Sequence, residues 1–598
     1  MSHLRVDGLS VQFEQVSHFL PATNEVRFEL EPGQTVALLG GSGCGKSITA
    51  SALMRLLPEN AYFGQQSKVL LEGQDLLTLP ERDMRDIRGK RVAMIFQEPM
   101  TALNPVLTIG QQLAEAIKAH QPLRNNALNK RMLQLLEEVD MSEAAHRLNQ
   151  YPHQLSGGQK QRVVIAMALA CEPDVLIADE PTTALDVTVQ AQILKLLKRI
   201  QQQHHMSLLL ITHDLGVVRF MASQVCVMYA GQIVEMASAE DFFTEVKHPY
   251  SQQLLAAIPS LHNRQKRLAA IPGSVPTLDD MPKGCRFHPR CSYQFPPCLG
   301  VEPALQPIND GEVRCHLYPD TLSLPPLKIS DVDIAASRED HTKVLSVQNL
   351  SVTFPLQKSW LKSRRRWLQA VDNVSFDLYR GKTLALVGES GCGKTTISRA
   401  IMMLLTHWQG DIDFDGQSIK KMTRKQLRQF RQQAQIIFQD PFSSMNPRMS
   451  VSDIISEGMR AQGYSSAKIK KRLFELIEQV NLPKSCLNRF PHQFSGGQRQ
   501  RISIARALAC RPHLLICDEP TSALDVSVQA QILNLLKDLQ AEYNMAYLFI
   551  THNMSVVSYL ADDVMVMKKG SLVEQGPVTQ IMTKPQQPYT QRLLKAVL

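Results

Sequence analysis

The stretch YPHQLSGGQKQRVVIAMALACEPDVLIADEP, residues 151 to 181, decides the fold of this chain. Its glycine-rich turn, 155–159, runs directly into a predicted helix, whose first backbone N–H groups are free to bind an anion. An apolar strand follows over 175–178 and delivers Asp179 and Glu180 side by side at its carboxyl end. Two acids at the end of a buried strand are suited to holding a metal ion and a water molecule.

The same stretch occurs a second time, as FPHQFSGGQRQRISIARALACRPHLLICDEP over residues 490 to 520. Ser495 stands 339 positions after Ser156 (495 − 156), and Asp518 stands 339 positions after Asp179 (518 − 179). The chain is therefore a tandem duplication. Its 598 residues are enough for several domains.

Each half also carries a phosphate-binding loop of the form G-x-x-x-x-G-K-[ST], after predicted strands at 35–39 and 383–387. Backbone N–H groups of such a loop surround the β- and γ-phosphates, the lysine adds a positive charge, and the last hydroxyl can bind Mg²⁺. The helix after the first loop is predicted to end near Pro58. The predicted nucleotide-binding residues are Gly40, Ser42, Gly43, Cys44, Gly45, Lys46 and Ser47 in the first half, and Gly388, Ser390, Gly391, Cys392, Gly393, Lys394 and Thr395 in the second.

The overall composition is that of an ordinary globular protein, with 44% apolar and 20% charged residues. The formal charge of +9 is small for this length, so no nucleic-acid partner is expected. The sequence has no signal-peptide core and no apolar run near the roughly 18 to 20 residues that span a bilayer. We therefore expect a soluble, cytoplasmic protein whose 11 cysteines are not paired in disulfides.

LSGGQ, followed by a strand that ends in Asp-Glu, resembles the nucleotide-binding domain of ATP-binding-cassette (ABC) proteins. The resemblance implies an α/β fold with two P-loop domains in tandem. Each domain would have a RecA-like core, an antiparallel β subdomain and a helical signature subdomain, here at 109–149 and 451–488. It also implies that the two lobes pack head to tail, so that the LSGGQ helix of one lobe closes the ATP site of the other.

The resemblance assigns roles to residues that recur in both halves. Asp179 and Asp518 are expected to hold Mg²⁺, and Glu180 and Glu519 to act as general bases toward the attacking water. The strand-end glutamines Gln97 and Gln439 are expected to reach both the metal and the water. The hydroxyls of Ser47 and Thr395 are expected to bind the metal. His213 and His552 are expected to contact the γ-phosphate.

Two composite ATP sites follow from these roles, and neither shows a substituted catalytic residue. Ser495, Gly497 and Gln498 would close the first site. Ser156, Gly158 and Gln159 would close the second. Phe13 and Phe354 occupy the place of the aromatic that stacks on adenine, although both could instead be core residues of a strand. The loops 98–105 and 440–447 look like the loop that contacts the membrane domain of a transporter.

Between the halves lies a proline-rich stretch with Cys285, Cys291, Cys298 and Cys315, separated by five, six and sixteen residues. Cysteines that bind zinc usually come in closely spaced C-x₂₋₄-C pairs, and these gaps are wider, so zinc is the weaker interpretation. Four thiolates on irregular loops can hold a [4Fe–4S] cluster. Its negative charge would be offset by nearby cations, namely Lys283, Arg286, Arg290 and Arg314. The alternative is four reduced cysteines in a loop.

His248-Pro249-Tyr250, followed by these cysteines, resembles the ATPases of bacterial dipeptide, oligopeptide and nickel importers, here with two subunits fused. This resemblance implies an import ATPase on the cytoplasmic face of the inner membrane, working with two transmembrane permeases. An extracytoplasmic binding protein would feed it indirectly, with peptides as the favoured cargo. The second copy ends in Gln587-Pro588-Tyr589 with no cysteine segment, so at most one cluster is expected.

The expected domains are a first ATPase domain (1–257), a cysteine-containing extension (258–317), a linker (318–341), a second ATPase domain (342–576) and a short tail (577–598). A basic stretch at 358–367 is read as a solvated hairpin loop rather than a phosphate or membrane contact. Two other classes of soluble tandem ABC protein remain as alternatives. One class acts on ribosomes, and its members typically join their cassettes by a long charged helical linker. The other class is the DNA-repair ATPases of the excinuclease type, which carry zinc modules inside the cassette.

Overall fold

The computed structural model describes residues 3–15, 18–97, 102–183, 185–259, 267–318, 324–325, 341–355, 367–522 and 524–596. Most of the predicted linker and the basic stretch over 358–366 lie outside the described residues, as does 98–101 of the first predicted membrane-contact loop. In the part of the chain described, no helix is both long enough and apolar enough to cross a membrane.

Each half begins with an antiparallel sheet, as predicted from the resemblance. In these sheets apolar side chains alternate with exposed ones, because one face packs on the core and the other meets water. The strands of the first sheet are Leu4–Gln15, His18–Leu30, Ala61–Phe63, Lys68–Leu71 and Gln74–Asp75, and those of the second are Lys343–Pro355, Trp367–Tyr379, Trp408–Phe414 and Gln417–Ser418.

Each half also has a second, mostly parallel sheet whose central strands are buried along their whole length. Burial on both faces explains the continuous apolar runs in the sequence. In spatial order the first sheet is Gln306–Ile308, Gly311–Val313, Gln232–Ser238, Gln224–Tyr229, Thr35–Leu39, Ser207–Thr212, Val175–Asp179 and Val92–Ile95. The second is Ala434–Ile437, Leu514–Asp518, Ala546–Thr551, Thr383–Val387, Asp563–Lys568 and Ser571–Pro577.

The parallel pairing explains how distant motifs meet. The strands before the phosphate loop, the acidic pair and the histidine are direct neighbours in each sheet. Because parallel strands end at the same edge, those three motifs lie together there. The α/β fold with two cassettes is therefore confirmed.

Helices cover the parallel sheets and form the predicted helical subdomains. The subdomain helices are Ile109–Lys118, Asn125–Glu138 and Ala144–Arg147 in the first half, and Val451–Ala461 and Ser466–Gln479 in the second. The remaining helices of the first half are Lys46–Leu53, Glu81–Ile87, Gly157–Ala168, Val187–His204, Leu215–Met221, Ala239–Thr244, Pro249–Ala256 and Pro296–Gly300. Those of the second half are Lys394–Ile401, Arg424–Gln433, Gly496–Leu508, Val526–Tyr543, Met554–Leu560, Val578–Thr583 and Pro588–Lys595.

The helix after the first phosphate loop is shorter than predicted. It ends at Leu53 and not near Pro58, because Arg55 adopts a left-handed backbone conformation with φ of 51°. The Arg55 and Leu56 N–H groups then bond back to the carbonyls of Ala52 and Ser51, which closes the last turn.

The cysteine extension is built onto the first cassette. Its strands Gln306–Ile308 and Gly311–Val313 add to the edge strand Gln232–Ser238, with Glu235 opposite Val313. The extension also reaches the second cassette, where the backbone N–H and C=O of Leu268 bond to the Asn534 side chain at 3.1 and 2.9 Å. It therefore contacts both halves.

Candidate active sites

The two phosphate loops have nearly the same conformation. Gly45 and Gly393 precede the helices in left-handed conformations with φ of 106° and 108°, which residues with a Cβ rarely adopt. Lys46 Nζ donates to the carbonyls of Gly40 and Gly41 at 2.7 and 2.9 Å. Lys394 Nζ donates to the corresponding carbonyls of Gly388 and Glu389 at 2.8 and 2.9 Å. Each loop thus holds its ammonium group at its own centre.

The first acid of each pair lies beside the hydroxyl that ends the loop. Burial raises the pKa of Asp179, opposed by a hydrogen bond from Ser47, and its Oδ1 atom is buried without a hydrogen-bond partner among the described residues. In the second half Thr395 Oγ1 donates to Asp518 Oδ1 at 3.2 Å. A buried carboxylate oxygen with an unused lone pair, next to a hydroxyl, fits Mg²⁺, which prefers oxygen ligands.

The second acid is held from several sides. Gln97 Nε2 donates to Glu180 Oε2 at 3.0 Å, Thr183 Oγ1 donates to the same oxygen at 2.9 Å, and His213 Nδ1 lies 3.0 Å from Oε1. Burial opposes ionisation of Glu180, but its contacts with His213, Thr183 and Lys46 outweigh burial and lower its pKa to about 2. Glu180 is therefore a carboxylate at neutral pH, with both oxygens oriented.

The second site has the corresponding glutamine and histidine, but both contact the same oxygen of Glu519. Gln439 Nε2 lies 3.1 Å from Glu519 Oε2, and His552 Nδ1 lies 3.3 Å from the same oxygen. Burial again opposes ionisation, and the contacts with His552 and Lys394 outweigh it, so that the pKa of Glu519 is lowered. Both glutamates have a φ of 48°, a left-handed conformation that costs a non-glycine residue energy and is concentrated at functional sites.

Each signature sequence (LSGGQ at 155–159 and FSGGQ at 494–498) forms a capping box at the start of its helix. Ser156 Oγ accepts from the Gln159 N–H and Gln159 Oε1 accepts from the Ser156 N–H, at 3.3 and 3.0 Å. Ser495 and Gln498 make the same pair of bonds. A Cβ on Gly158 would lie 2.6 Å from a Val189 methyl, so this position requires glycine where two helices cross.

The halves meet so that the first phosphate loop faces the signature of the second half. A cavity of about 900 Å³ is lined by Ser42 and Gly43 of the first loop and by 495–498 of the second half. At its edge the Ser42 N–H donates to Asp525 Oδ2 at 3.1 Å, and symmetrically the Ser390 N–H lies 3.4 Å from Asp186 Oδ2. Asp186 and Asp525 were not among the predicted site residues, although they recur 339 positions apart (525 − 186).

The predicted adenine-stacking residues lie at strand ends. Phe13 is half-buried and Phe354 is 37% exposed, and neither belongs to the buried core clusters of its half. The alternative that they are core residues is therefore not supported. Their contact with adenine stays a prediction.

The four cysteines of the extension are described and unpaired, as are the chain's other seven. Burial, with smaller contributions from Cys285, Cys291 and Cys298, raises the pKa of Cys315 to about 12. The Cys285 N–H donates to the Cys298 carbonyl at 3.0 Å, which brings two of the four cysteines together. Nevertheless, no group of three or more His, Cys, Asp or Glu side chains in the described ranges is arranged to hold a metal ion. The arrangement does not fit a metal centre as it stands, and the iron–sulfur cluster stays a prediction.

The arginines expected to offset the cluster's charge have other partners. Arg286 donates to the Ala230 carbonyl, and Arg290 to the Pro272 carbonyl and the Tyr229 hydroxyl. Arg314 donates to the carbonyls of Ile233 and Pro303. These three side chains stabilise the extension, and two of them, Arg286 and Arg314, fasten it to the edge hairpin of the first cassette.

Comparison with known families identifies both repeated elements. Residues 23–183 and 371–522 match the family model "ABC transporter", and residues 234–298 and 573–598 match "Oligopeptide/dipeptide transporter, C-terminal region". The match over 573–598 includes residues 577–598, which were predicted from the sequence only as a short tail.

Three relatives align over nearly the whole chain. The oligopeptide transport ATP-binding protein OppD of Mycobacterium tuberculosis is 42% identical over 99% of this chain and 98% of its own length. The peptidoglycan transport ATP-binding protein YejF of Agrobacterium fabrum is 43% identical over 99% and 96%, respectively. The glutathione import ATP-binding protein GsiA of Escherichia coli is 44% identical over 99% and 89%.

Proposed function

Because the chain belongs to the ABC transporter family, whose cassettes bind and hydrolyse ATP, we propose that it is the ATPase subunit of a bacterial peptide importer. The observation that carries this proposal is the pairing of two ABC cassettes with a C-terminal region of the oligopeptide and dipeptide transporter type in each half. The relatives named for oligopeptide, peptidoglycan and glutathione transport favour peptides or peptide-like molecules as cargo.

The chain's own residues divide the reaction among them. Lys46 and Lys394 lie where they can bind the phosphates, and the signature helices offer free N–H groups at their first turns from the opposite half. Glu180 and Glu519 orient the attacking water and accept its proton. Mg²⁺, held by Asp179 with Ser47 and Gln97, or by Asp518 with Thr395 and Gln439, would neutralise charge that develops on the phosphates.

Closure of the two halves on ATP and their release after hydrolysis would drive movement in membrane partners. We propose two transmembrane permeases on the cytoplasmic face of the membrane, with an extracytoplasmic binding protein supplying the cargo. Tyr151 and Phe490 support a docking surface in each half. They are 39% and 40% exposed, occupy the same position in the two repeats, and stack on His153 and His492.

Purification of the tagged chain from its native membranes in mild detergent tests this function. We expect two multi-spanning membrane proteins to remain bound. Changing Tyr151 and Phe490 together to alanine should lower their recovery severalfold, whereas the same change at the exposed Tyr62 and Leu299 should not. Recovery with ribosomes or DNA-repair proteins, and without membrane proteins, would contradict the proposal.

The four-cysteine segment is proposed, separately, to hold one [4Fe–4S] cluster. Two observations support this proposal: all four thiols are unpaired, and a backbone hydrogen bond of 3.0 Å joins Cys285 to Cys298. Anaerobic purification should then yield about four iron and four sulfide ions per chain, and Cys298→Ser should lose both. Iron and sulfide at background level in the unsubstituted chain would refute it without affecting the import function.

A further inference from the structure

The tyrosine of the His-Pro-Tyr turn lies far from the phosphate loop in sequence but touches it in space. The Gly41 N–H donates to the Tyr250 hydroxyl at 3.0 Å, across 209 positions of the chain. Tyr250 is almost fully buried. In the second half the Glu389 N–H lies 3.3 Å from the Tyr589 hydroxyl, which is the same contact at the same loop position.

The turn that carries the tyrosine is fastened to the cassette in both halves. Glu235, on the strand Gln232–Ser238, accepts from the N–H groups of Lys247 and His248 at 2.7 and 3.0 Å. Glu574 accepts from the N–H groups of Gln586 and Gln587 at 2.8 and 3.2 Å. Since each glutamate fixes the two residues just before the proline, the strand that carries the glutamate sets the position of the tyrosine ring.

The tyrosine hydroxyl also lies next to the partner half. A Cβ on Gly41 would be 3.4 Å from the Tyr250 hydroxyl and 3.7 Å from Asp525 Oδ2. Asp525 accepts from the next N–H of the loop, that of Ser42. Two successive loop N–H groups are therefore held, one by a tyrosine of the same half and one by an aspartate of the other half.

From this geometry we propose that Tyr250 and Tyr589 are positioning residues for ATP binding, each holding the second residue of its phosphate loop in the conformation that receives the phosphates. The hydroxyl keeps a buried loop N–H satisfied whether or not the aspartate of the other half is in place. Without it, the loop must either bury an unsatisfied N–H or change shape before ATP binds.

Tyr250, beside the first phosphate loop, has more contacts that fix its position than Tyr589 has beside the second. His248 Nδ1 accepts from the Tyr250 N–H at 3.0 Å, whereas Gln587 makes no such cap for Tyr589. The Tyr250 ring packs between Tyr229 and Phe287, with ring centroids 4.8 and 5.5 Å away. Loss of the hydroxyl should therefore have a larger effect on the first site.

The test isolates one site at a time in the full-length chain. In a Lys394→Ala background, where the first site remains, Tyr250→Phe should raise the Kd of the mant derivative of ATP, with Mg²⁺, by roughly 3- to 10-fold. In a Lys46→Ala background the same change should leave the Kd unaltered, and Tyr589→Phe should raise it by a smaller factor. Tyr229→Phe is the matched control, since it removes a neighbouring buried hydroxyl that binds Arg290 and not the loop.

Two results would overturn the proposal. One is an unchanged Kd for both phenylalanine variants in the background that retains their own site. The other is an equal rise for Tyr229→Phe, because a general loss of packing would then explain the effect. The melting temperature distinguishes the cases further, since Tyr250→Phe and Tyr229→Phe should lower it similarly while only Tyr250→Phe changes the Kd.

Discussion

At the scale of single residues, Glu180 and Glu519 are each held through both the side chain and the backbone. Glu180 is bound through both oxygens, and its backbone N–H donates to the Ile211 carbonyl at 2.9 Å. The equivalent N–H of Glu519 donates to the Ile550 carbonyl at the same distance. A side chain and a backbone fixed in this way can orient a water molecule without further rearrangement.

Replacing both glutamates by glutamine should separate hydrolysis from binding. Glutamine keeps the shape but cannot accept a proton, so Glu180→Gln with Glu519→Gln should lower the ATPase rate by about 10²- to 10⁴-fold. ATP should remain bound and the halves should stay closed. Phosphate release and retained nucleotide are the measurements, with the partly exposed Glu138→Gln as control. Hydrolysis near the normal rate in the double variant would refute the assignment of the bases.

At the scale of elements, the helix Pro249–Ala256 is capped at its N-terminus by the buried side chain of His248, which must stay neutral. Its Nδ1 atom accepts the bond from the Tyr250 N–H, and burial lowers the pKa of His248 to about 3. An unfolded histidine has a pKa of about 6.5. As pH falls, the unfolded chain therefore binds a proton before the folded chain does. The stability that neutral His248 provides is present above pH 6.5 and is lost progressively below it.

His248→Gln should remove this part of the acid sensitivity. Between pH 7.5 and pH 5.0 the proton linkage of His248 amounts to about 2 kcal/mol of unfolding free energy. Chemical denaturation at the two pH values should show a smaller loss of stability for His248→Gln than for the parent chain, whereas the exposed His204→Gln should behave as the parent. Any constant loss from the missing helix cap cancels in this comparison. An unchanged pH dependence in His248→Gln would contradict the account.

Motifs that act locally could be predicted from the sequence, and contacts across the chain could not. The strands 35–39 and 383–387 were predicted with their observed bounds, because buried parallel strands have continuous apolar sequences. The contact of Tyr250 with Gly41 depends on how the C-terminal segment packs, and nothing near either residue indicates it. The same is true of the two strands that the cysteine extension adds to the sheet.

At the scale of the whole molecule, one chain supplies both halves of each predicted ATP site. Leu268, from the extension of the first half, is buried in the core of the second half, where Asn534 binds its backbone. The loop-to-aspartate contacts join the halves again near each phosphate loop. Fusion thus keeps the two cassettes at high effective concentration, so closure on ATP does not require a second chain to be captured.

Photolabelling with an azido derivative of ATP, followed by identification of the labelled half, tests directly whether each ATP site is built from both halves. It is done in the Glu180→Gln, Glu519→Gln chain, which is expected to retain nucleotide. If the sites are composite, Ser495→Arg should abolish labelling of the first half's phosphate-loop peptide and leave that of the second half, and Ser156→Arg should do the reverse. Loss of labelling from the same half that carries the arginine would show that each cassette builds its own site, and would contradict the central claim.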